Sequence, residues 1–493
     1  MSTPTFATLG AVNHGKSSVV STLAENDRVR ISRVPGETVE CQRFSLGDLF
    51  VFYDTPGFQN AAEALEELRP AAHARDSLQA FREFIARHKN NPEFEAECRL
   101  FEPVVEGAGI IYVVDGSRPA LPINLAEMEI LRLTGRPRMA IINRTGADDH
   151  VADWKGRLGL HFNAVREFNA HHATFADRIE LLETLAHIEQ SWKPKLAQAV
   201  QVLRDEWTAR LSDCAEIILD EIIACLRHRE SATLSEDLPA RRLALGEELK
   251  ARYMRAVTSL EARAHQRIIA LFGHHLVHPG ESAEQLFAND LFSEETWKLF
   301  GLEEKQLVAA GAVTGAIAGA GIDVLTAGHT LLLGAAIGTA VGAAGAFAIG
   351  KKRPQLTINL LGPGSTRPFA GFFPSKLPVG GTALAVGPYR ALNFPWILLD
   401  RAIGAFAYVI NRSHALREEV TLNASALHKA LESHGLTTAR WDDPSRKICE
   451  RHFAAIRRDK LDPAGRASLR ELFRARLEAV SAARIGAGTL VEK

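Results

Sequence analysis

The sequence predicts an α/β domain at its N-terminus, with a mostly parallel sheet and helices on both faces. A largely α-helical region follows, with a glycine-zipper hydrophobic hairpin and a small β element. Three observations carry this. A glycine-rich octapeptide, Gly10 to Ser17, sits between a β-prone run and a helix-forming one. Short apolar runs (Leu49 to Tyr53, Gly109 to Val114, Arg138 to Ile142) alternate with helical stretches, as in parallel sheets buried on both faces. From Gln306 to Gly350 there is no Lys, Arg or Glu.

The 493 residues suffice for two to four domains. A 46% hydrophobic, 24% charged composition is globular, and a formal net charge of −1 provides no global field toward nucleic acid or an anionic membrane. Five cysteines without a C-x-x-C pair argue against a disulfide framework or zinc cluster and fit a reducing cytosol. Met1 to Leu9 lacks a charged segment followed by an apolar one, so no signal peptide is expected.

Gly10-Ala11-Val12-Asn13-His14-Gly15-Lys16-Ser17 fits G-x-x-x-x-G-K-[ST]. In such a loop backbone N–H groups from Asn13 to Ser18 converge on phosphate oxygens, aided by the helix N-terminus. Lys16 is expected at the β- and γ-phosphates and the Ser17 hydroxyl on Mg²⁺. A chance octapeptide is the alternative, and the order of the following motifs opposes it.

The run Leu49 to Tyr53 ends in Asp54-Thr55-Pro56-Gly57, a D-x-x-G element. Asp54 is expected to hold Mg²⁺ through water, and the Gly57 N–H to sense a γ-phosphate. Between the motifs, in Val34-Pro35-Gly36-Glu37-Thr38-Val39, Thr38 is the candidate to close over Mg²⁺; otherwise it is a solvated loop residue. The candidate catalytic set is therefore Lys16, Thr38 and Gly57.

P-loop, Pro-Gly-x-Thr and Asp-Thr-Pro-Gly, in that order over residues 1–175, resemble the bacterial Era-like (TrmE-Era-EngA-type) GTPases. The resemblance implies a P-loop GTPase fold, GTP/GDP and Mg²⁺ as ligands, and slow hydrolysis. Asn13 stands where potassium-activated members carry an asparagine, which implies a K⁺ beside the phosphates; the other reading is a loop-stabilising side chain. Phe58 stands where Ras-like proteins carry the catalytic glutamine, and it cannot orient water.

The guanine motif N-K-x-D is expected after Ile142. Asn143 matches, the Arg144 stem can cover the base, and Gly146 replaces the aspartate, which weakens discrimination against other bases. Asp148 or Asp149 are candidates to swing in, and no clean Ser-Ala-Lys element follows. The stretch from Gln59 to Val105 holds at least two charged helical segments. It reads either as an enlarged second switch region or as passive decoration.

Residues 176–300 are read as a helical stalk or bundle, with long helices over Trp192 to Arg227 and Arg241 to Phe272. Residues 301–354 are read as the Gly/Ala-rich hairpin. Gly311, Gly315, Gly319 and Gly334, Gly338, Gly342 are spaced by four, which lets helix backbones approach closely. At ~1.5 Å per residue, Gln306–Ile322 and Thr330–Gly350 reach about 25 and 31 Å, near the ~30 Å of a bilayer core. Lys351-Lys352-Arg353 fits a cytoplasmic flank. A soluble, buried hairpin is the alternative.

Residues 355–493 are read as α+β, mainly helical. Strand-like runs cover Gln355 to Leu360 and Thr382 to Val386. The apolar helix from Asn393 is interrupted by Asp400 and Arg401 too early for a membrane span, which favours core or interfacial packing. Arginines recur from Arg446 to Arg476 as a solvated face or, alternatively, a phosphate-binding one.

The expectation is a cytoplasmic GTP-binding switch at the inner face of the cell membrane, able to self-associate or bind a protein partner. Nucleic acid or the ribosome is the less favoured partner. The rivals are a soluble ribosome-assembly GTPase and a non-hydrolysing scaffold.

Overall fold

The structure is a computed structural model. It describes residues 3–11, 14–23, 41–74, 77–144, 146, 148–170, 173–234, 239–273, 291–302, 358–361, 382–389, 391–411 and 424–483. Asn13, Thr38 and the glycine-rich stretch 306–350 lie outside these residues. The chain divides into two compact units, one built mainly of residues 1–209 and the other mainly of residues 210–493.

The first unit contains β1 (Thr5–Leu9), α1 (Lys16–Leu23), β2 (Gln42–Leu46), β3 (Phe50–Asp54), α2 (Ala61–Ala74), α3 (Ser77–His88) and α4 (Glu95–Val105). Then come β4 (Gly109–Asp115), α5 (Pro122–Leu133), β5 (Arg138–Asn143), α6 (Val151–Leu158), β6 (Ala164–Glu167), α7 (Phe175–Ile188) and the start of α8 (Lys193–Arg227). Six strands form one sheet in the order β2-β3-β1-β4-β5-β6. Only the β2–β3 pair is antiparallel.

The apolar runs become the central strands because both sheet faces are covered. Side chains alternate between two cores with the period of two that a strand imposes. Ile110, Tyr112 and Val114 of β4 join Phe81, Phe101, Met128 and Trp154 on one face. Ile111 and Val113 join Val19, Ile179, Leu182 and Trp192 on the other. The expected mostly parallel α/β domain is thus present. The stretch between Gly57 and Gly109 forms three helices, α2 to α4, packed into the same core as α5.

The second unit holds the end of α8, β7 (Glu230–Leu234), α9 (Pro239–Leu271), α10 (Glu294–Leu299), β8 (Ile358–Leu361), β9 (Thr382–Val386), α11 (Phe394–Asn411), α12 (Ala424–Ser433), α13 (Asp443–Arg457) and α14 (Pro463–Ala482). The small β element is a three-stranded antiparallel sheet, β7-β9-β8. Its strand β7 lies in a stretch read as helical from sequence. Glu230-Ser231-Ala232-Thr233-Leu234 is short and its partner β9 begins at Thr382, so local pattern could not reveal it.

Helix α11 is buried nearly throughout. Asp400 accepts hydrogen bonds from the Gly301 N–H (2.8 Å), the Thr438 N–H (2.8 Å) and the Thr438 hydroxyl (3.0 Å). Asn393 accepts one from the Leu302 N–H (2.8 Å). The charged residues that break the apolar run are therefore fasteners of a core helix. Among the described residues no helix is long and apolar enough to cross a membrane.

Four of the eight arginines from Arg446 to Arg476 are ion-paired among the described residues. Arg446 pairs with Asp443, Arg466 with Glu216 and Asp220, and Arg474 with Glu471 and Glu478. Arg476 pairs with Asp442 and lies over the Trp441 ring, 5.0 Å from its centroid.

Candidate nucleotide-binding site

The loop after β1 turns sharply at Gly10, whose φ is +144°. A Cβ there would lie 2.3 Å from the Val113 carbonyl oxygen, so both backbone angle and space demand glycine. Gly15, with φ +84°, makes the turn into α1, which begins at Lys16.

Lys16 is buried, and its ammonium donates to the carbonyls of Gly10 (3.1 Å) and Ala11 (2.9 Å). Burial lowers its pKa to about 8, against the pull of Asp54 and Glu127, so it stays cationic at neutral pH. His14 is buried beside this charge; burial first and Lys16 second hold its pKa down to about 4, which keeps the ring neutral. Ser17 is half-buried and Ser18 buried on the first turn of α1.

Asp54 ends β3, in register with Thr8 of β1. Its carboxylate is fully buried, and neither oxygen finds a well-formed hydrogen bond among the described residues. Burial pushes its pKa up to about 6, with the Ser17 hydroxyl and the Lys16 ammonium acting the other way. Thr55 fixes the following turn by donating to the Thr8 carbonyl (2.7 Å).

Gly57 leads into Phe58, whose N–H donates to the Gly10 carbonyl (3.3 Å). The Phe58 ring is buried, 6.2 Å from that of Phe101 on α4. Glu97, also on α4 and fully buried, accepts from the backbone N–H groups of Gln59 (2.7 Å) and Asn60 (2.7 Å). The Asn60 amide donates to the Glu93 carbonyl (2.6 Å). The segment after Gly57 is thus held by the P-loop on one side and by the inserted helices on the other.

At the far end of the site, Asn143 is fully buried. Its carbonyl oxygen accepts from the Ala170 N–H (3.0 Å), and its amide donates to the His14 carbonyl (3.4 Å). Thr22 of α1 donates to the Ala170 carbonyl (3.0 Å). The β6–α7 loop, in which sequence showed no Ser-Ala-Lys element, is therefore tied at Ala170 to α1 directly and to the P-loop through Asn143. Arg144 reaches Asp149 at 3.7 Å, and Asp149 also accepts from the Val151 N–H (3.1 Å). Gly146 lies against the Ser117 side chain, which is tied back to Asp115 (2.6 Å).

Glu97 and Glu127 escaped the sequence reading. Glu127 of α5 is buried with its pKa raised to about 7 by burial, and it accepts from the Tyr112 hydroxyl (2.6 Å). The missed signal was a carboxylate on an apolar helix stripe: Glu97 lies among Leu100, Phe101 and Val104, and Glu127 beside Met128 and Leu131.

Residues 156–474, well over half the chain, match the family model described as Domain of unknown function (DUF3482). The chain belongs to the DUF3482 family. In this DUF3482 protein, residues 5–144 match a second model, described as 50S ribosome-binding GTPase. Together with the motifs above, this makes the N-terminal unit an Era-like, GTP-hydrolysing P-loop domain, joined to a domain of unknown function.

Two solved structures are similar in part. One is a tyrosine-to-alanine variant of Aquifex aeolicus Era bound to GDP and AlF4−, at 14% identity, covering 55% of this chain and 90% of that one with a TM-score of 0.25. The other is Era in complex with MgGDPNP and nucleotides 1506–1542 of 16S ribosomal RNA, at 14% identity, the same coverage and a TM-score of 0.24. No curated protein matches the chain.

Proposed function

We propose that this GTPase is a slow molecular switch whose nucleotide state is read by the inserted helices α2 to α4. The observation that carries this is Glu97. Its buried carboxylate takes both backbone N–H groups that follow Phe58, so a shift of Gly57 toward a γ-phosphate pulls on α4 directly. Lys16 neutralises phosphate charge, and Thr38 and Gly57 respond to the γ-phosphate. Asn143 and the Arg144 stem frame the guanine base, and Asn13 recruits K⁺.

Mg²⁺ fits the donors present, because the buried Asp54 carboxylate has no well-formed hydrogen bond and Ser17 stands beside it. Ser17, Thr38 and Asp54 are its proposed holders, and when bound it supplies positive charge to the β- and γ-phosphates. Phe58 is packed away from the site and offers no atom to orient water, which is why hydrolysis is slow without help.

The 306–350 stretch is proposed to attach the protein to the inner face of the membrane as a glycine-zippered hairpin. Glycine spacing and the following Lys351-Lys352-Arg353 support this. A soluble role on the ribosome is the second reading, favoured by the match to a model described as 50S ribosome-binding GTPase.

Turnover of GTP and ATP in KCl and in NaCl tests the switch. Lys16→Ala should lower GTP turnover at least about a hundredfold, ~3 kcal/mol in the barrier. GTP binding without turnover in either salt would leave a scaffold or an enzyme awaiting a partner. Sedimentation with liposomes and with ribosomal subunits, in GTP and in GDP, separates the two destinations; co-sedimentation with neither would remove both.

A further inference from the structure

The second unit contains a buried polar cluster that the nucleotide reading does not use. Glu261 and His265 stand four residues apart on α9, hence on one helix face. Glu221 on α8 meets them, and one donor atom from each of the three lies within 4.8 Å of the others. Exposure is 4% for Glu221, 1% for Glu261 and 2% for His265. Arg401 of α11, itself fully buried, grips Glu261 through two parallel hydrogen bonds of 2.5 and 3.0 Å.

We propose that Glu221, Glu261 and His265 form a binding site for a first-row divalent metal ion, with zinc foremost. Glu261 already has a cationic partner in Arg401. Glu221 lies within the influence of the same guanidinium, yet neither of its carboxyl oxygens has a hydrogen-bond partner among the described residues. A buried carboxylate in that state is costly, and protonating it removes the charge while leaving both oxygens unmatched. A divalent ion answers both the charge and the missing contacts.

Two carboxylates and an imidazole suit zinc, manganese or iron(II), and among these three zinc binds nitrogen and oxygen donors most tightly. Donor atoms around a tetrahedral zinc lie about 3.4 Å apart, so side-chain rotation of about an ångström closes the set. The ring of His265 is held neutral, as a ligand must be, first by burial; its pKa is lowered to about 4. Arg401 is the positioning residue that orients Glu261 through its outer edge.

The test uses full-length protein stripped of metal with EDTA and freed of nucleotide, then dialysed against micromolar Zn²⁺, Mn²⁺ or anaerobic Fe²⁺. Elemental analysis should find about one equivalent of retained zinc in the wild type and almost none in Glu221→Gln. Zinc at a hundredfold excess over its Kd should raise the melting temperature by about 5–10 °C in the wild type only. His265→Gln is the second variant should Glu221→Gln not fold. Two results would overturn the site: trace retention of all three ions with an unchanged melting temperature, or undiminished zinc in both folded variants. In the first, a proton and a buried water hold Glu221. The inference is independent of the GTPase reading, and neither result bears on nucleotide turnover.

Discussion

Asp54 and Asp400 are the same residue type, both buried, and in both burial raises the pKa to about 6. They differ in partners. Asp400 receives three donors from Gly301 and Thr438, whereas Asp54 has no well-formed hydrogen bond among the described residues. One carboxylate holds chain segments together, and the other has lone pairs that the proposed Mg²⁺ would use. Exposure and pKa alone would not tell them apart; the inventory of partners does.

The comparison can be broken by substitution. The largest effect is expected from Asp54→Asn. GTP turnover should fall at least about a hundredfold, while the urea midpoint holds or rises, because a costly buried charge is gone. A loss of stability with turnover intact would reverse the assignment.

For Asp400 the expected effect is on stability and its pH dependence, not on turnover. Its folded pKa of about 6 lies above the ordinary 3.8, so between those values the native state holds more of this proton than the unfolded chain. The Asp400 contribution is therefore present below about pH 4 and declines as pH rises through about 6, by up to about 3 kcal/mol. Urea denaturation of wild type and Asp400→Asn at pH 4.5 and pH 7 checks this. The stability difference between the two should shift toward the variant at the higher pH, and a shift the other way would show that the three donors outweigh burial.

The smallest effect concerns Glu97. Glu97→Gln keeps one acceptor but loses the charge that strengthens both bonds to Gln59 and Asn60. A several-fold change in GTP turnover is expected, with a loss of about 1–2 kcal/mol in stability. Turnover unchanged at that cost in stability would make α2 to α4 structural decoration.

What was legible in the sequence followed from locality. The P-loop, β3 with Asp54, β4 and β5 are continuous apolar runs ending in chemistry, and each was readable within ten residues. The edge strand β6, Ala164-Val165-Arg166-Glu167, is short and half-exposed, with no such signature. Strand β7 and the Glu221–Glu261–His265–Arg401 cluster depend on segments 40 to about 180 residues apart, as sequence numbers show. Arg401 read as an interruption of an apolar helix because its carboxylate partner is 140 positions away. At the nucleotide site, the residues missed were Glu97 and Glu127, whose partners are a backbone turn and a tyrosine on other elements.

The turn at Gly10 bears on how the motif itself is interpreted. With the Val113 carbonyl 2.3 Å from any Cβ and φ at +144°, position 10 admits one amino acid on packing grounds alone. A randomised library selected only for folding would return glycine there, with no nucleotide in the medium. The first glycine of the octapeptide is thus a record of how β1 passes β4, and the information about phosphate resides in Gly15, Lys16 and Ser17.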